Sequence, residues 1–182
     1  MNLLFRIANL YIPNFIKKRE LKKLFRLTAT AFGETMPSLD TLNYDKCLAE
    51  YAQFSQNAVD HFFAQGKDIQ PVQEQLFRLA SEYGTLWRKR FAVVSIDDVM
   101  QAASLLYRTI GIDFWGTERG DIKISTCFFS SFYSPQTCIV ISSLDAGIMA
   151  GLSDGATLLF TRRITEGFDT CCAHLKQKEF HL

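Results

Sequence analysis

The spacing of apolar residues changes near Gly111, and no other feature of the sequence constrains the fold as strongly. Before this point apolar residues recur every three or four positions, in segments that end near Pro13, Gly33 and Gly66, as in amphipathic helices. After it, the stretch 121–127 (DIKISTC) alternates apolar with polar residues, as a half-buried strand does. The change predicts an α+β fold in which N-terminal helices pack on a C-terminal antiparallel sheet.

Capping residues predict where the N-terminal helices begin. Residues 3–11 carry apolar side chains at helical spacing and predict a first short helix. Asp40 or Thr41 is expected to cap the helix that follows a Pro-Ser turn. Ser95, with Asp98 three residues later, resembles a capping box and predicts another helix start.

The C-terminal part combines one helix with several strands. Ser134 followed by Pro135 predicts a helix start, because Pro is favoured at the first helical position. The segment 138–152 (CIVISSLDAGIMAGL) is expected to be a helix, and its small residues favour close packing on the sheet. Strands are predicted over 156–164 and 171–176.

Length and composition indicate one domain. The chain has 182 residues, of which 48% are hydrophobic and 21% charged, a balance typical of globular proteins. It contains no internal repeat or obvious linker. We therefore expect a single domain over 1–182, in which 1–111 is mainly helical and 112–182 mixes sheet and helix and carries the functional site.

The charge balance disfavours nucleic acid as a partner. Twenty Lys and Arg against nineteen Asp and Glu leave a net charge of +1, whereas binding to a phosphate backbone needs clustered positive charge. The basic residues do cluster within 17–26, and a solvated helix face explains that cluster more simply than a binding patch does.

The five cysteines indicate a reducing compartment. Their number is odd, and no secretory signal precedes them. No stretch approaches the roughly 20 apolar residues of a transmembrane segment. These features predict a cytoplasmic protein with free thiols and no transmembrane segment. The N-terminal helices could form a dimer contact as readily as part of the core, so the sequence is compatible with a homo-oligomer.

The candidate chemistry lies between Cys127 and the last strand. A thiolate nucleophile needs a base or a positive field, and Arg162 or Arg163 on a neighbouring strand could supply one to Cys127. Asp145 lies on an apolar helix, where an unpaired carboxylate is costly. It must reach solvent, pair with an arginine or face a pocket. A buried, inert thiol remains the simpler interpretation of any single cysteine.

Three of the cysteines could converge on a soft metal, namely Cys127, Cys138 and Cys171. Their spacing matches no characteristic metal motif, so the sequence predicts no metal site. Cys171 and Cys172 are adjacent in a strand and are expected to point to opposite faces of it. The identity of any cofactor is unknown from the sequence.

The C-terminal third resembles the L-2-amino-thiazoline-4-carboxylic acid hydrolase family. The resemblance covers about residues 110–176 and consists of a cysteine opening a helical segment, a later aspartate, a strand with arginine and threonine, and then glycine and cysteine. Here those positions are Cys127, Asp145, Arg162 or Arg163 with Thr165, Gly167 and Cys171. The chain departs from the pattern at Ser142 and Ser143, where a cysteine is frequent, and at Cys172, where aspartate is usual.

The resemblance implies hydrolysis of a carbon–nitrogen bond in a small cyclic amidine that bears a carboxylate. Such chemistry needs a nucleophile, a group that moves protons and a cation that holds the substrate acid. The resemblance assigns the first two roles to Cys127 and Asp145. The expected substrate-binding residues are Arg162, Arg163, Thr165 and Tyr133.

Two other functions remain open. A non-catalytic, sensor-like domain would bind a small molecule in an apolar cavity lined by rings such as Phe128, Phe129, Phe132, Tyr133 and Phe160. A metal-binding or interaction module would instead have clustered thiols or an exposed apolar patch. The hydrolase predicts that Cys127 and Asp145 line one cavity, with an arginine within hydrogen-bonding reach.

Overall fold

A computed structural model of the chain describes residues 11–177, so the helix expected over residues 3–11 lies outside the described part except at its last residue. The described part contains five α-helices, four of them before residue 111, and these dominate the structure. Their bounds are α1 (Asn14–Phe32), α2 (Tyr44–Ala64), α3 (Gln70–Phe91), α4 (Ile96–Arg108) and α5 (Pro135–Ser153).

Four strands form one antiparallel sheet in the order β1-β2-β4-β3. Their bounds are β1 (Ile112–Gly116), β2 (Asp121–Cys127), β3 (Thr157–Arg162) and β4 (Cys171–Lys176). Two short 3₁₀ turns, Phe128–Ser131 and Ile164–Glu166, follow β2 and β3. The predicted α+β fold, with helices first and an antiparallel sheet after them, is confirmed.

The start of α2 differs from the expectation. Its cap is Asn43, not Asp40 or Thr41, and the Asn43 side chain accepts a hydrogen bond of 2.9 Å from the Lys46 N–H. Residues 40–42 form a turn ahead of the helix, so the two predicted capping residues lie too early in the chain. Both kinds of side chain cap helices, and the local pattern does not distinguish them.

Two predicted helix starts are confirmed. Ser95 and Asp98 form a reciprocal capping box, in which each side chain bonds the backbone of the other residue. Ser134 caps α5 by accepting a hydrogen bond of 3.1 Å from the Thr137 N–H, and Pro135 occupies the first turn. The start of α5 places the segment that carries Asp145 in a continuous helix.

The small residues of α5 pack on α3 rather than on the sheet. A β-carbon on Gly147 would overlap the carbonyl oxygen of Phe77, and one on Gly151 would overlap that of Ser81. Gly84 of α3 is equally close to the backbone of α5. The sequence indicated close packing correctly but assigned it to the wrong partner, because glycines permit close approach to a helix as well as to a sheet.

Most of the basic residues of α1 form hydrogen bonds or ion pairs with other groups of the protein. Glu20 is buried and accepts hydrogen bonds from Arg19, Lys23 and the Tyr83 hydroxyl, the last at 2.7 Å. Although burial acts in the opposite direction, the bonds from Tyr83 and Lys23 hold the pKa of Glu20 below its ordinary value. The cluster thus ties α1 to α3, and its cations also reach solvent.

One described helix, α5, is long and apolar enough to cross a membrane by length and composition alone. The core helix of a soluble protein passes the same test, and more than half of the most apolar stretch of α5 is buried against the rest of the fold. Residues 11–177 therefore contain no clear transmembrane segment.

Candidate functional site

A small, partly open cavity lies where β1, the end of β2, the connection to α5 and α5 itself meet. Its volume is about 70 Å³. Most of its wall is apolar and comes from both halves of the chain. The apolar lining residues are Leu24, Ile110, Ile112, Phe129, Ile141, Leu144, Ile148 and Ile164. A space of this size holds several waters or a small functional group.

Asp145 is the only acidic or basic side chain among the described residues that line the cavity. Burial raises its pKa to about 6, although the hydrogen bond from Tyr107 and the charge of Arg163 act to lower it. The carboxyl group is therefore mostly ionised at pH 7 and mostly protonated at pH 5. A carboxyl group that titrates near neutral pH can both bind a cation and transfer a proton.

Tyr107 fixes the orientation of Asp145. It lies on α4, and its hydroxyl donates a hydrogen bond of 2.8 Å to Oδ1 of Asp145. Its ring stacks on Phe114 of β1, with 5.1 Å between ring centroids. Within residues 11–177, Oδ2 of Asp145 accepts no side-chain hydrogen bond and is the oxygen that remains for a ligand.

Three thiols line the same cavity, those of Cys127, Cys138 and Cys171. Burial raises the pKa of Cys127 to about 12, and the backbone amides of Phe129 and Ser130 lower it only in part. Burial likewise raises the pKa values of Cys138 and Cys171. All three sulfurs are protonated at neutral pH and are poor nucleophiles in this state.

The thiols share a cavity without forming a metal site. No group of three or more His, Cys, Asp or Glu side chains within residues 11–177 is placed to hold a metal ion. The sulfur of Cys171 accepts a hydrogen bond of 3.3 Å from the Ile164 N–H. Cys172 lies on the opposite face of β4, since its neighbours Cys171 and Ala173 are buried. The predicted opposite orientation of the two cysteines is confirmed.

Unsatisfied polar atoms concentrate around the cavity. Tyr133, which is 9% exposed, and Thr165 line it, and within residues 11–177 neither hydroxyl has a hydrogen-bond partner. Ser55 lies close enough to Tyr133, and Thr165 close enough to Cys138, to act against the rise that burial causes in the pKa of each neighbour. Neither pair meets hydrogen-bond geometry. The buried Nη1 of Arg163 is also without a partner. Buried polar groups are normally paired with protein or with ordered water, so a water or another polar group in the cavity would satisfy these atoms.

Arg163 and Arg162 have different positions. Arg163 lies beside the cavity, where its Nη2 donates a hydrogen bond of 3.2 Å to Ser142, a lining residue. The Arg163 guanidinium also stacks on Phe160 at 4.0 Å from the ring centroid. Arg162 is exposed and lies over Phe168, away from the lining residues.

The structure brings together most of the residues that the sequence singled out. Cys127, Asp145, Thr165 and Tyr133 line one cavity, whereas Arg162 does not reach it. Tyr107 is not among the predicted site residues, because its position on the apolar face of α4 indicates only a core residue. The carboxylate of Asp145 on the apolar helix α5 was the available signal, since it required some partner.

A comparison with protein-family profiles finds no matching family, and a comparison with curated proteins finds no match in sequence.

Proposed function

We propose that this protein is a small-molecule hydrolase-like protein that opens a carbon–nitrogen bond of a cyclic amidine in the cavity around Asp145. The observation that carries the proposal is the convergence of a carboxyl group with a pKa of about 6 and unsatisfied polar atoms of Tyr133, Arg163 and Thr165. The resemblance to the L-2-amino-thiazoline-4-carboxylic acid hydrolase family supports the same class of substrate.

The charges favour a ligand with a positive end and a negative end. An ionised Asp145 attracts an amidinium group, whose N–H donates to Oδ2 while Oδ1 keeps the hydrogen bond from Tyr107. Arg163, beside Ser142 and Thr165, is placed to hold a carboxylate of the same ligand. The Tyr133 hydroxyl forms a hydrogen bond with a polar atom of the ligand that lies between its amidinium and its carboxylate.

In this proposal the nucleophile is water rather than Cys127. A thiol with a pKa of about 12 is almost entirely protonated at pH 7, and thiols attack as thiolates. Asp145 takes a proton from a water that adds to the amidine carbon. The ring carbon–nitrogen bond then breaks as the protonated Asp145 returns the proton to the leaving nitrogen, and the added hydroxyl loses its proton to solvent and becomes the product carbonyl. Cys127 forms part of the cavity wall.

The size of the cavity limits how much of a substrate enters it. Its volume of about 70 Å³ is roughly half of the about 150 Å³ that holds benzene in an engineered cavity. The three heavy atoms of an amidine group fit this space. The rest of a five-membered ring with its carboxylate then lies at the opening of the cavity.

The test is a hydrolysis assay on 2-amino-thiazoline-4-carboxylate and related cyclic amidines with native protein and Asp145→Asn. We expect native turnover and a loss of about 10²–10⁴-fold in kcat for the variant, the usual contribution of a general acid–base group. Asparagine keeps an oxygen that accepts the Tyr107 hydrogen bond, so the fold is retained.

Cys127→Ser separates the two possible nucleophiles. If water attacks, this variant retains turnover within about tenfold of the native rate, whereas loss comparable to that of Asp145→Asn would contradict the water mechanism. Full activity of Asp145→Asn, or no turnover of any cyclic amidine by native protein, would overturn the hydrolase proposal.

A non-catalytic, small-molecule-binding domain is the second candidate, and the apolar wall and protonated thiols favour it. An apolar ligand gains nothing from a buried carboxylate, so Asp145→Asn should bind it as tightly as native protein does or more tightly. A thermal-shift comparison with apolar and amidine ligands distinguishes the two, because a ligand that binds only the folded state raises Tm. The proposed setting for either function is the cytoplasm.

A further inference from the structure

The outer face of the sheet carries a second cluster of chemically active side chains, separate from the cavity. Cys172 and His174 lie two positions apart on β4 and therefore share this face. Cys171 and Ala173, with the opposite orientation, are buried. Cys172 is partly exposed and His174 is exposed. Solvent-borne reagents thus have access to this face.

Two basic residues occupy the positions next to Cys172 in the sheet. Lys123 on β2 and Arg162 on β3 are its partners in the register of the two neighbouring strands, and both are exposed. In the uninterrupted register of β2 and β4, the β-carbons of Lys123 and Cys172 are expected about 4.5–5.5 Å apart, and Arg162 follows a register irregularity in β3. Cys172 therefore lies in an electropositive and partly exposed setting, the kind in which reactive cysteines are found.

His174 completes the cluster with a base. Its Nδ1 lies 3.0 Å from Oδ1 of Asp121, and this contact does not involve Nε2. The cavity thiols lack this setting, because burial raises the pKa values of Cys127, Cys138 and Cys171. Among the cysteines within residues 11–177, Cys172 alone combines partial exposure, basic register partners and a histidine two positions away on the same strand face.

We propose that Cys172 is a thiol–disulfide exchange site that accepts an anionic low-molecular-weight disulfide, such as oxidised glutathione. The sulfur of Cys172, after transfer of its proton to His174 or solvent, attacks one sulfur of the reagent. A new S–S bond forms, the S–S bond of the reagent breaks, and the released thiolate takes up a proton. Lys123 and Arg162 stabilise the negative charge shared among the three sulfurs and attract the carboxylates of the reagent.

The first experiment incubates the reduced, full-length protein with oxidised glutathione and maps the adduct by mass spectrometry. We expect one glutathionyl group on Cys172 and none in Cys172→Ser. Cys171→Ser is the matched control, since it changes the adjacent residue on the opposite face and should retain the adduct. Cys138→Ser serves the same purpose if Cys171→Ser does not fold.

The second experiment tests the role of charge. Lys123→Glu should slow exchange with oxidised glutathione by about two- to tenfold and accelerate exchange with cystamine, a cationic disulfide, and both changes should fade at high salt. An unmodified native protein, an adduct on another cysteine, a persistent adduct in Cys172→Ser, or equal effects of Lys123→Glu on both reagents would each overturn the proposal.

Discussion

Asp145 shows how one partly buried group connects sequence, stability and function. A carboxyl on the apolar face of a helix is costly, and the structure offsets only part of that cost through Tyr107 and the charge of Arg163. The remaining penalty appears as a pKa of about 6. The same penalty makes the group responsive near neutral pH, which a fully paired carboxylate would not be.

Asp145→Asn should stabilise the protein at neutral pH. The folded-state pKa is raised from 3.8 to about 6, so folded protein binds more protons than unfolded protein between these values. The free energy of unfolding therefore falls as pH rises from about 4 to about 6. Above this range the ionised Asp145 lowers the free energy of unfolding by its full amount, about 3 kcal/mol at most. Urea unfolding of both proteins at pH 4, 5, 6 and 7 measures the difference.

The expected difference between the two proteins is close to zero at pH 4 and grows to its full value by pH 7. Carboxylates with lowered pKa values, such as Glu20, change stability in the opposite direction, but they are common to both proteins and cancel. A difference that is constant with pH would show that Asp145 does not titrate in this range.

Glycine decides the close contact between α3 and α5. Gly84 on α3 lies against the backbone of Ile148 and Gly151 on α5, with no room for a β-carbon. Gly147 on α5 lies equally close to the backbone of Phe77 on α3. This contact holds α5 in the orientation that directs Asp145 into the cavity. A side chain at these positions would separate the helices and change the cavity as well as the core.

Gly147→Ala should destabilise the protein, although alanine favours helix formation. The gain from helix propensity is about 0.5–1 kcal/mol, while overpacking against the Phe77 carbonyl costs about 1–3 kcal/mol or more. The net loss should lower Tm by roughly 2–8 °C.

Gln136→Ala, an exposed change at the start of α5, is the control and should alter stability by less than about 0.5 kcal/mol. Differential scanning calorimetry of the three proteins provides the comparison. A Gly147→Ala protein as stable as the native one would mean that the helices can separate without cost.

One hydrophobic core runs through both halves of the described chain. The Tyr51 ring on α2 packs against Phe129, with centroids 5.6 Å apart. The Gln56 side chain accepts a hydrogen bond of 2.9 Å from the Ser134 N–H. The cavity itself takes residues from α1 and α2 as well as from the sheet. The helical half and the sheet half should therefore unfold together.

The two tryptophans test this cooperativity, because Trp87 lies in α3 and Trp115 in β1. Trp115→Phe leaves a reporter of the helical half, and Trp87→Phe leaves a reporter of the sheet. In each variant the fluorescence transition in urea should coincide with loss of helical circular dichroism. A fluorescence midpoint that differs from the circular-dichroism midpoint in either variant would reveal two separately folding units.

The local sequence was sufficient to predict the order of the helices and strands along the chain. The change of period near Gly111 predicted helices followed by strands, and the Ser95–Asp98 box and the Ser134-Pro135 pair marked helix starts correctly. These signals act within a few residues, through side-chain bonds to nearby backbone and through the exposure pattern of one helix or strand. Nearby sequence therefore contains them in full.

Only the tertiary packing decided the order of strands in the sheet, the helix that the α5 glycines contact and the residues that line the cavity. Tyr107 and Asp145 are 38 positions apart, and only the packing of α4 against α5 joins them. Arg162 and Arg163 are neighbours in sequence, yet one is exposed and the other lies beside the cavity. Such contacts depend on how whole helices and strands pack together. One local pattern of residue types is compatible with several such arrangements, so the pattern alone does not predict the contacts.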